Sequence, residues 1–352
     1  MSEKIKILLV SHKPFKIPAG KYFLPIHAGR SVAMQASKDG KIDQEDFDWM
    51  LKNTIGDDTG DNISDKNRYY SECSALYWAW KNYDKIGDPD YIGLMHYRRH
   101  FIFNDDYYEN HIKDDWHRAL VYKNEDFVDE KYIQNIGLTD DNIASACSNY
   151  DLVVTKDTQF NLIGGYNIRD NYKEIIPGVK VQDFDNMISK IKDKYPEYNI
   201  IFNKYLNGYN AANYQMFIMK KSLFFEYCEF LFGVLFDIEK DVDFEQYTIN
   251  GKRTLGYLAE RMLSFFVWKK QEKGLKILKL GVTEVEFPYE DWQIYKILSS
   301  PCPKITDYYI CKIKSFFAKG DVKYQLIEKS RAIRRSIKSY KRIKNFYAKK
   351  EI

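Results

Sequence analysis

The 352-residue sequence lacks the cysteine spacing that disulfide frameworks and structural zinc sites require. It has five cysteines, an odd number, and none of them forms a C-x-x-C pair: Cys73, Cys147, Cys228, Cys302 and Cys311. Disulfide-rich domains and zinc modules need cysteines in pairs at short, regular spacings. We therefore expect reduced thiols, mostly buried, as is usual in cytosolic proteins.

Long apolar runs are also absent. The longest, residues 230–236, is far shorter than the ~18 residues that a membrane-spanning helix needs. Residues 5–10 form a short apolar stretch near the N-terminus, but Lys6 interrupts it and no small-residue cleavage site follows. The sequence therefore predicts neither a transmembrane segment nor a signal peptide.

The signature motifs of several enzyme classes are missing as well. The sequence contains no P-loop, no G-x-G-x-x-G after a strand, no G-x-S-x-G and no H-E-x-x-H. These absences argue against P-loop NTPases, Rossmann dinucleotide enzymes, α/β-hydrolases and zinc proteases. The sequence also shows no internal repeat and no low-complexity linker.

Apolar and aromatic side chains, in contrast, are abundant. Hydrophobic residues make up 45% of the chain and aromatic residues 16%. Such a composition excludes an intrinsically disordered protein, because a disordered chain cannot carry so much apolar surface. At ~100–200 residues per domain, the length predicts one large domain or two interlocked domains with an ample core.

The charge is distributed unevenly along the chain. The chain contains 54 Lys and Arg residues and 50 Asp and Glu residues, which gives a net charge of +4. Residues 329–350 nevertheless contain ten basic residues and no acidic one, whereas residues 1–328 carry a net charge of −5. The sequence therefore describes a mildly acidic body with a strongly basic tail.

Apolar residues in the basic tail recur at steps of four and three: Ile333, Ile337, Tyr340 and Ile343. This spacing places them on one face of a helix, as in helices that lie on anionic membranes. We therefore expect residues 329–350 to bind an anionic membrane surface, with a solvated helix or a homo-oligomeric contact as the alternatives. The acidic body lacks a recognisable nucleic-acid-binding fold, so no nucleic-acid partner is expected.

Hydrophobic periodicity predicts alternating strands and helices. Unbroken apolar runs predict buried strands at 5–10, 91–95, 150–154 and 215–219. Apolar residues at three- and four-residue steps predict helices at 64–82, 139–148, 183–195, 222–237 and 252–270. Residues 14–40, which are rich in proline and glycine, are expected to form a loop. The alternation indicates an α/β fold.

A basic cluster follows the second predicted strand and contains His96, Arg98, Arg99 and His100. The carboxyl end of a strand is where α/β sheets bind ligands, and guanidinium groups match phosphate oxygens. An ordinary ion-paired strand end is the alternative interpretation. If the strand continues through both arginines, their side chains should point to opposite faces.

Carboxylates offer two further kinds of site. Acidic pairs spaced by one residue occur four times: Asp46/Asp48, Asp88/Asp90, Asp183/Asp185 and Asp241/Asp243. Two carboxylates with diphosphate oxygens can complete an octahedral Mg²⁺ or Mn²⁺ site, but four matches in an Asp-rich chain single out none. No cofactor is therefore firmly implied, and Mg²⁺ or Mn²⁺ stays open. Glu260, within an apolar helical stretch, is either a buried ion-pair partner or a catalytic base.

Several segments taken together resemble one known family. They are Asp61–Asn67, Tyr70–Glu72, Ala75–Asn82, Ile92–Arg99, Tyr195–Tyr198, Met216–Lys221, Tyr227–Glu229 and Arg253–Arg261. They resemble the bacterial glycosyltransferases of capsule, exopolysaccharide and O-antigen loci, long filed as a domain of unknown function and later assigned galactofuranosyltransferase activity. The matching segments span about residues 5–270.

The resemblance implies a GT-A-like nucleotide-sugar-binding domain with a mixed central sheet at 1–300, followed by the basic helical tail at 301–352. It implies inverting transfer of β-galactofuranose from UDP-galactofuranose to a hydroxyl of a lipid-linked glycan. The enzyme would be cytoplasmic and peripheral at the inner face of the cell membrane. A metal-dependent transferase of UDP-galactose or UDP-glucose is the alternative, and a non-catalytic basic-tailed membrane or nucleic-acid adaptor is a further one.

Particular residues follow from this resemblance and from the strand-end argument. The expected donor-binding residues are His12, Asn62, Lys66, Asn67, His96, Arg98 and Arg99. Glu260 is the first choice for the base that deprotonates the acceptor hydroxyl, and Asp183 is the second. The expected acceptor-binding residues are Gln215, Arg253 and Arg261. Gln215 stands where the family block has asparagine, and Cys73-Ser74 replaces its Leu-Thr, so these departures bear on the choice of sugar or acceptor.

Overall fold

A computed structural model describes residues 3–35, 42–111, 120–122, 127–162, 165–176, 178–285 and 288–348. The chain forms two compact units, 1–288 and 289–352. The division follows Pro288, ahead of the boundary at residue 300 that the sequence indicated.

The first unit contains strands β1 to β11 within its described residues. They are β1 (Ile5–Ser11), β2 (Phe23–His27), β3 (Ile55–Gly56), β4 (Tyr91–His96), β5 (Arg99–Ile102), β6 (Leu120–Tyr122), β7 (Leu152–Thr155), β8 (Thr158–Gln159), β9 (Asn210–Ala211), β10 (Phe217–Lys220) and β11 (Ile277–Glu284). The predicted strands at 5–10 and 91–95 are confirmed, and those predicted at 150–154 and 215–219 each begin two residues later.

Helices α1 to α11 belong to the same unit. They are α1 (Gln44–Asn53), α2 (Asn67–Tyr70), α3 (Cys73–Lys81), α4 (Asp105–His111), α5 (Glu130–Ile136), α6 (Asp140–Asn149), α7 (Ile168–Ile175), α8 (Val181–Lys194), α9 (Asn199–Leu206), α10 (Lys221–Glu239) and α11 (Thr254–Glu272). The helices predicted at 139–148, 183–195, 222–237 and 252–270 correspond to α6, α8, α10 and α11 with shifts of one to two residues at their ends.

The central sheet is mixed, as predicted. Strand β1 lies between β2 and β4 and is parallel to both, and β3 extends the sheet beyond β2. On the other side, β10 is antiparallel to both β4 and β7, while β11 is parallel to β7 and antiparallel to β5. Because parallel strands end at the same side of a sheet, β1, β2, β3 and β4 bring their carboxyl ends together. We call this side of the sheet the carboxyl edge.

Strand β1 illustrates why these residues form a sheet that is covered on both faces. Ile7 and Leu9 belong to one hydrophobic core, and Leu8 and Val10 belong to the other. Successive side chains of a strand point to opposite faces, so a strand buried on both faces is apolar at every position. Helices α5 and α6 contribute to the core that contains Ile7 and Leu9, and helices α3, α8, α10 and α11 contribute to the core that contains Leu8 and Val10.

Two of the strands that the sequence did not predict, β2 and β11, show why the prediction failed. Strand β2 lies within residues 14–40, where the density of proline and glycine predicted a loop, and it contains Pro25. Strand β11 was not predicted, although it lies between β7 and β5 in the centre of the sheet. Both strands are stabilised by hydrogen bonds to neighbouring strands that are distant in sequence. Local β-propensity does not reflect such partners.

The predicted helix at 64–82 is also wrong as a single element. A short 3-10 turn at Ser64–Lys66 and helix α2 are separated from α3 at Ser71, whose φ of 53° lies in the left-handed region. That conformation costs a non-glycine residue roughly 1–3 kcal/mol and is retained where surrounding contacts fix it. Here Asn67 Nδ2 donates to the Ser71 carbonyl at 2.7 Å, and Arg253 Nε donates to Ser71 Oγ at 2.9 Å.

A buried carboxylate organises the loops at the carboxyl edge. Asp57 is fully buried, and it accepts hydrogen bonds from the backbone N–H of Gly29 at 2.7 Å and of Arg30 at 3.1 Å. The hydroxyls of Ser64 and Ser74 also donate to it. Burial raises the pKa of Asp57, and these four donors oppose that shift. One side chain thus ties the loops that follow β2 and β3 to helix α3.

Replacing Asp57 with alanine is expected to lower the free energy of unfolding by roughly 3 kcal/mol or more. The substitution leaves several buried donors without an acceptor, and each costs about 1–3 kcal/mol. Urea denaturation followed by circular dichroism measures the change. Asp65→Ala is the matched control, because Asp65 is an exposed aspartate of the same segment. Equal stability of the two variants would contradict the proposed role of Asp57.

The second unit is helical in its described residues. It contains α12 (Asp291–Ser299), α13 (Ile305–Phe317) and α14 (Gly320–Ala348), and α14 packs along α13 and against α12. Helix α14 carries the basic run up to residue 348, while Lys349 and Lys350 lie outside the described residues. Among the described helices of the whole chain, none is both long and apolar enough to cross a membrane.

The apolar face of α14 departs from the expectation that it faces a membrane. Ile337 is only 8% exposed and Ile343 is fully buried. Because Ile337 and Ile343 pack within the protein, these two side chains are not presented to a bilayer, while Ile333 and Tyr340 are partly exposed. The basic side chains of α14 include exposed ones, such as Lys341 and Lys344.

Candidate active site

The two arginines that follow β4 occupy a hairpin turn and not a continued strand. His96 pairs with Arg99 across β4 and β5, so Tyr97 and Arg98 form the turn between them. Both arginines consequently approach one carboxylate. Arg98 Nε lies 3.6 Å from Glu284 Oε1, and Arg99 Nε lies 3.2 Å from Glu284 Oε2. The expectation that they point to opposite faces is therefore wrong, because it assumed an unbroken strand.

His96 fixes a strained segment in front of β10. Its Nε2 lies 2.6 Å from the carbonyl oxygen of Tyr214, and because a carbonyl can only accept, Nε2 carries the proton. Tyr214 and Gln215 both have positive φ angles, 74° and 50°. The guanidinium of Arg99 lies over the Tyr214 ring at 5.0 Å from its centroid. Backbone strain of this kind is concentrated at binding and catalytic sites.

Glu260 approaches His96 and Arg99 from helix α11. Its side chain is 22% exposed, and its Oε2 accepts from Arg261 Nη1 at 3.2 Å. Burial raises the pKa of Glu260, the nearby Glu72 carboxylate raises it further, and Arg261 and Arg99 oppose the shift. A partly exposed carboxylate with a raised pKa beside a fixed cation has the properties of a general base.

We call His96, Arg99, Tyr214, Glu260 and Glu284 the edge cluster. Its members come from the end of β4, from β5, from the segment before β10, from α11 and from the end of β11. Electrostatic coupling links Glu260 with both His96 and Arg99. The cluster therefore combines three sequence-predicted residues, His96, Arg99 and Glu260, with two that the sequence analysis did not single out.

The histidines of the basic cluster do not supply its positive charge. Burial lowers the pKa of His96 to about 4, with Arg99 contributing, and burial lowers the pKa of His100 to about 3. Both rings are thus neutral at pH 7. The positive charge resides on Arg98 and Arg99. The cationic cluster predicted from the sequence, which had four residues, therefore has two charged members. Arg98 is the more accessible of the two, with 40% of its side chain exposed against 23% for Arg99.

His12 lies beside the arginine turn. Its ring meets the Tyr97 ring edge-on, with centroids 5.8 Å apart, and Arg98 lies 5.8 Å from the same ring. Two expected donor-binding residues, His12 and Arg98, are thus brought together around Tyr97. His27, at the end of β2, is buried, and its pKa is lowered to about 3 by burial and by the charges of Arg30 and His12.

The helix break at Ser71 connects two more predicted residues. Asn67 and Arg253 both donate to Ser71, to its carbonyl and its hydroxyl respectively. Helix α11 approaches closely because residue 256 is glycine, where a Cβ would lie 2.8 Å from Ser71 Oγ. Glu72 directly follows the break, and its negative charge contributes to raising the pKa of Glu260.

The acceptor-binding candidates are more buried than the sequence suggests. Gln215 is fully buried and donates from Nε2 to the Tyr227 hydroxyl at 2.6 Å. Arg261 is 5% exposed and bridges Glu260 and Asn171, donating to Asn171 Oδ1 at 2.8 Å. Arg253 is partly exposed and contacts the hydroxyl of Tyr257 at 3.3 Å. Arg261 is therefore placed to orient Glu260, whereas Arg253 is the more exposed of the two arginines.

Three predicted residues have contacts that serve the fold. Lys66 Nζ lies 3.0 Å from each carboxylate oxygen of Glu239. Asn62 holds its own turn, donating to the Gly60 carbonyl and accepting from the Ser64 N–H. Asp183 is 6% exposed, and each of its oxygens accepts a hydroxyl, from Tyr247 at 2.7 Å and from Thr254 at 2.6 Å.

Members of three of the four acidic pairs are engaged in contacts within the protein. Asp88 pairs with Lys221, Asp185 with Arg169 and Asp241 with Lys190. Asp183 is occupied by two hydroxyls, and Asp243 caps a short helix. Within the part of the chain that the structure describes, no group of three or more His, Cys, Asp or Glu side chains is arranged to hold a metal ion.

Sequence reasoning missed Glu72 and Glu284. Glu72 belongs to a segment that carried the family resemblance, but the predicted continuous helix concealed its position at a break. Glu284 ends β11, a strand without a clear periodic signal, so nothing local indicated that it would meet Arg98 and Arg99. Tyr214 is recognisable only from its backbone conformation.

Comparison with known proteins gives a family and a structural relative. The model of the DUF4422 family, described as a domain of unknown function, matches residues 6–272. No curated protein sequence matches the chain. Among solved structures, the chain is similar to the apo structure of WbbM, a bifunctional glycosyltransferase, with 30% sequence identity and a TM-score of 0.68. The similarity covers 80% of this chain and 45% of the WbbM chain, so the chain spans less than half of that protein's length.

Proposed function

Because this chain belongs to the DUF4422 family, whose name assigns no activity, we propose from its site that it is a glycosyltransferase. The observation that carries the proposal is Glu260, a partly exposed carboxylate that Arg261 Nη1 contacts at 3.2 Å and that interacts electrostatically with Arg99 at the carboxyl edge of an α/β sheet. Ligands of such sheets bind at this edge. The likeness to a bifunctional glycosyltransferase supports the proposal.

The reaction is a single displacement at the anomeric carbon of a nucleotide sugar. Glu260 takes the proton of the acceptor hydroxyl, and the hydroxyl oxygen forms a bond to the anomeric carbon. The bond from that carbon to the diphosphate oxygen breaks, and the electron pair leaves with the nucleoside diphosphate. Attack opposite to the leaving group inverts the anomeric configuration. A general base of this kind contributes about 10²–10⁴ in rate.

The leaving diphosphate is stabilised by basic side chains. Arg98, with 40% of its side chain exposed, is the arginine that a phosphate group can reach most readily. Glu284 and Tyr214 hold the neighbouring Arg99, so its charge is fixed before the substrate binds. Preorganised charge is effective because it does not reorient as the transition state develops. His96 contributes as a neutral ring that orients the segment before β10.

The finer specificity rests on the family resemblance. We propose UDP-galactofuranose as the donor and a hydroxyl of a lipid-linked glycan as the acceptor, in the synthesis of a bacterial surface polysaccharide. Gln215 bears on this choice, since its longer amide replaces the asparagine of the family block. Glu260 is the proposed base in preference to Asp183, because both oxygens of Asp183 already accept hydroxyl protons.

Incubation of the full chain with a panel of UDP-sugars and a lipid-linked acceptor tests these assignments. UDP release and glycan transfer are expected with UDP-galactofuranose, and NMR of the product should show a β-linkage. Transfer from UDP-galactose or UDP-glucose alone would overturn the donor assignment while leaving the reaction class intact. Loss of transfer in EDTA, restored by Mn²⁺, would favour the metal-dependent alternative. Absence of transfer from every donor would contradict the glycosyltransferase proposal.

A further inference from the structure

Helix α13 exposes an apolar stripe that the fold leaves uncovered. Six large apolar residues of this helix are at least 48% exposed: Ile305, Tyr309, Ile310, Ile313, Phe316 and Phe317. The two phenylalanines are the most exposed, at 76% and 85%. At about 100° per residue, these positions cover an arc of about 140° on one side of the helix. Such contiguous exposed apolar surface marks a contact site.

The opposite side of α13 is the one that packs within the unit. Cys311 and Ser315 are buried, and Tyr308 and Ala318 are partly buried. These four residues share a helix face at steps of three and four, and α14 packs along this helix. Helix α13 therefore has one face that packs within the second unit and a second, apolar face that is exposed.

Basic residues border the stripe. Lys312 and Lys314 are exposed and lie on either side of the apolar arc, and Lys304 and Lys319 flank the helix ends. Over residues 289–352 the sequence has 16 Lys and Arg against six Asp and Glu, a net charge of +10. Lysines beside an apolar helix face can bury their stems while their ammonium groups reach lipid phosphates.

We propose that the exposed stripe of α13 inserts into the surface of an anionic membrane, with the basic residues of the second unit contacting the headgroups. The occupant is a lipid surface, because one helix carries a continuous apolar arc bordered by cationic side chains, as an acyl–headgroup boundary requires. The assignment differs from the sequence-based one, in which the apolar residues of 329–350 enter the bilayer. Here α14 supplies charge and α13 supplies the inserted side chains. The inference is independent of the proposed chemistry.

Flotation of the full-length chain with large unilamellar vesicles tests the inference. The wild type is expected to bind vesicles of phosphatidylcholine and phosphatidylglycerol at least tenfold more tightly than vesicles of phosphatidylcholine alone. The double variant Ile313→Glu/Phe316→Glu should weaken binding to the anionic vesicles at least tenfold, because both positions are exposed and the acidic groups oppose insertion. Binding of the wild type should also fall as salt concentration rises.

Ile200→Glu is the matched control, because Ile200 is an isoleucine of α9 that is 88% exposed. It should bind anionic vesicles as the wild type does. A second variant, Phe317→Trp, is expected to show a blue-shifted emission on vesicle addition and quenching by brominated lipid. Unchanged binding of the double variant would overturn the proposal. The proposal would also be overturned if the wild type sedimented as a dimer and the double variant as a monomer, with vesicle binding intact. A second copy of the chain would then be what covers the stripe.

Discussion

Replacing Glu260 with glutamine is expected to lower kcat by about 10²–10⁴, because the amide keeps the size of the side chain but cannot accept the acceptor proton. The bond from Arg261 Nη1 to Oε2 at 3.2 Å can be made to the amide oxygen, so the fold should be retained. Steady-state release of UDP in the presence of the acceptor measures the effect. Circular dichroism confirms that the variant is folded.

The pH dependence of the reaction provides a second readout for Glu260. The pKa of this carboxyl is raised from its ordinary value of 4.5, chiefly by burial. A base works only when ionised, so kcat/KM should rise with pH through an ionisation above 4.5 and then level off. The glutamine variant should lack this ionisation in its residual activity. His96 does not account for this limb, because its pKa is lowered to about 4 and its Nε2 proton is held by Tyr214.

Asp183→Asn is the control for this prediction, since Asp183 is the other carboxylate that the sequence suggested as a base. Hydroxyls can rotate to donate or accept, so the bonds to Tyr247 and Thr254 are largely replaceable. The folded variant should keep kcat within a few-fold of the wild type while losing stability. Near-normal turnover of Glu260→Gln together with inactive Asp183→Asn would reverse the assignment.

Replacing Arg98 with alanine is expected to lower turnover more than tenfold, because loss of one preorganised charge at a leaving group costs up to ~3 kcal/mol. Arg98→Lys should recover part of the activity, since it keeps the charge but loses the guanidinium fork. The effect should fall on kcat more than on KM, because negative charge increases as the diphosphate leaves. Rapid-quench measurement of a single turnover isolates this chemical step.

Arg169→Ala is the matched control for the arginine prediction. Arg169 is 42% exposed, close to the 40% of Arg98, and it also pairs with a carboxylate, Asp185. It lies outside the edge cluster, so its removal should leave turnover unchanged. Turnover of Arg98→Ala equal to that of Arg169→Ala would remove Arg98 from the leaving-group role.

Much of the sheet could be predicted from the sequence, because its central strands carry a strong local signal. Strands β1, β4 and β7 are largely apolar at their buried positions, and helices α6, α8, α10 and α11 show three- and four-residue apolar steps. Strands β2 and β11 escaped prediction, since proline and glycine surround the first and the second has a weak pattern. Each is stabilised by its ladder partners.

The candidate site was predictable in its chemistry but not in its geometry. His96, Arg98 and Arg99 were found from their place after a buried strand, and Glu260 from its place in an apolar helix. Their proximity depends on the packing of α11 against the strand ends, which joins positions about 160 residues apart. The sequence did not distinguish the two candidate bases. In the structure both oxygens of Asp183 accept hydrogen bonds from hydroxyls, whereas Glu260 is partly exposed.

The absence of paired cysteines, the lack of long apolar runs and the basic tail were determined by the sequence alone, because composition and local periodicity need no partner to be recognised. The tertiary structure decided which apolar faces are used. Ile337 and Ile343 of α14 are buried, whereas Phe316 and Phe317 of α13 stay exposed. Both helices are amphipathic in sequence, and a helix face becomes core or surface only through what packs against it.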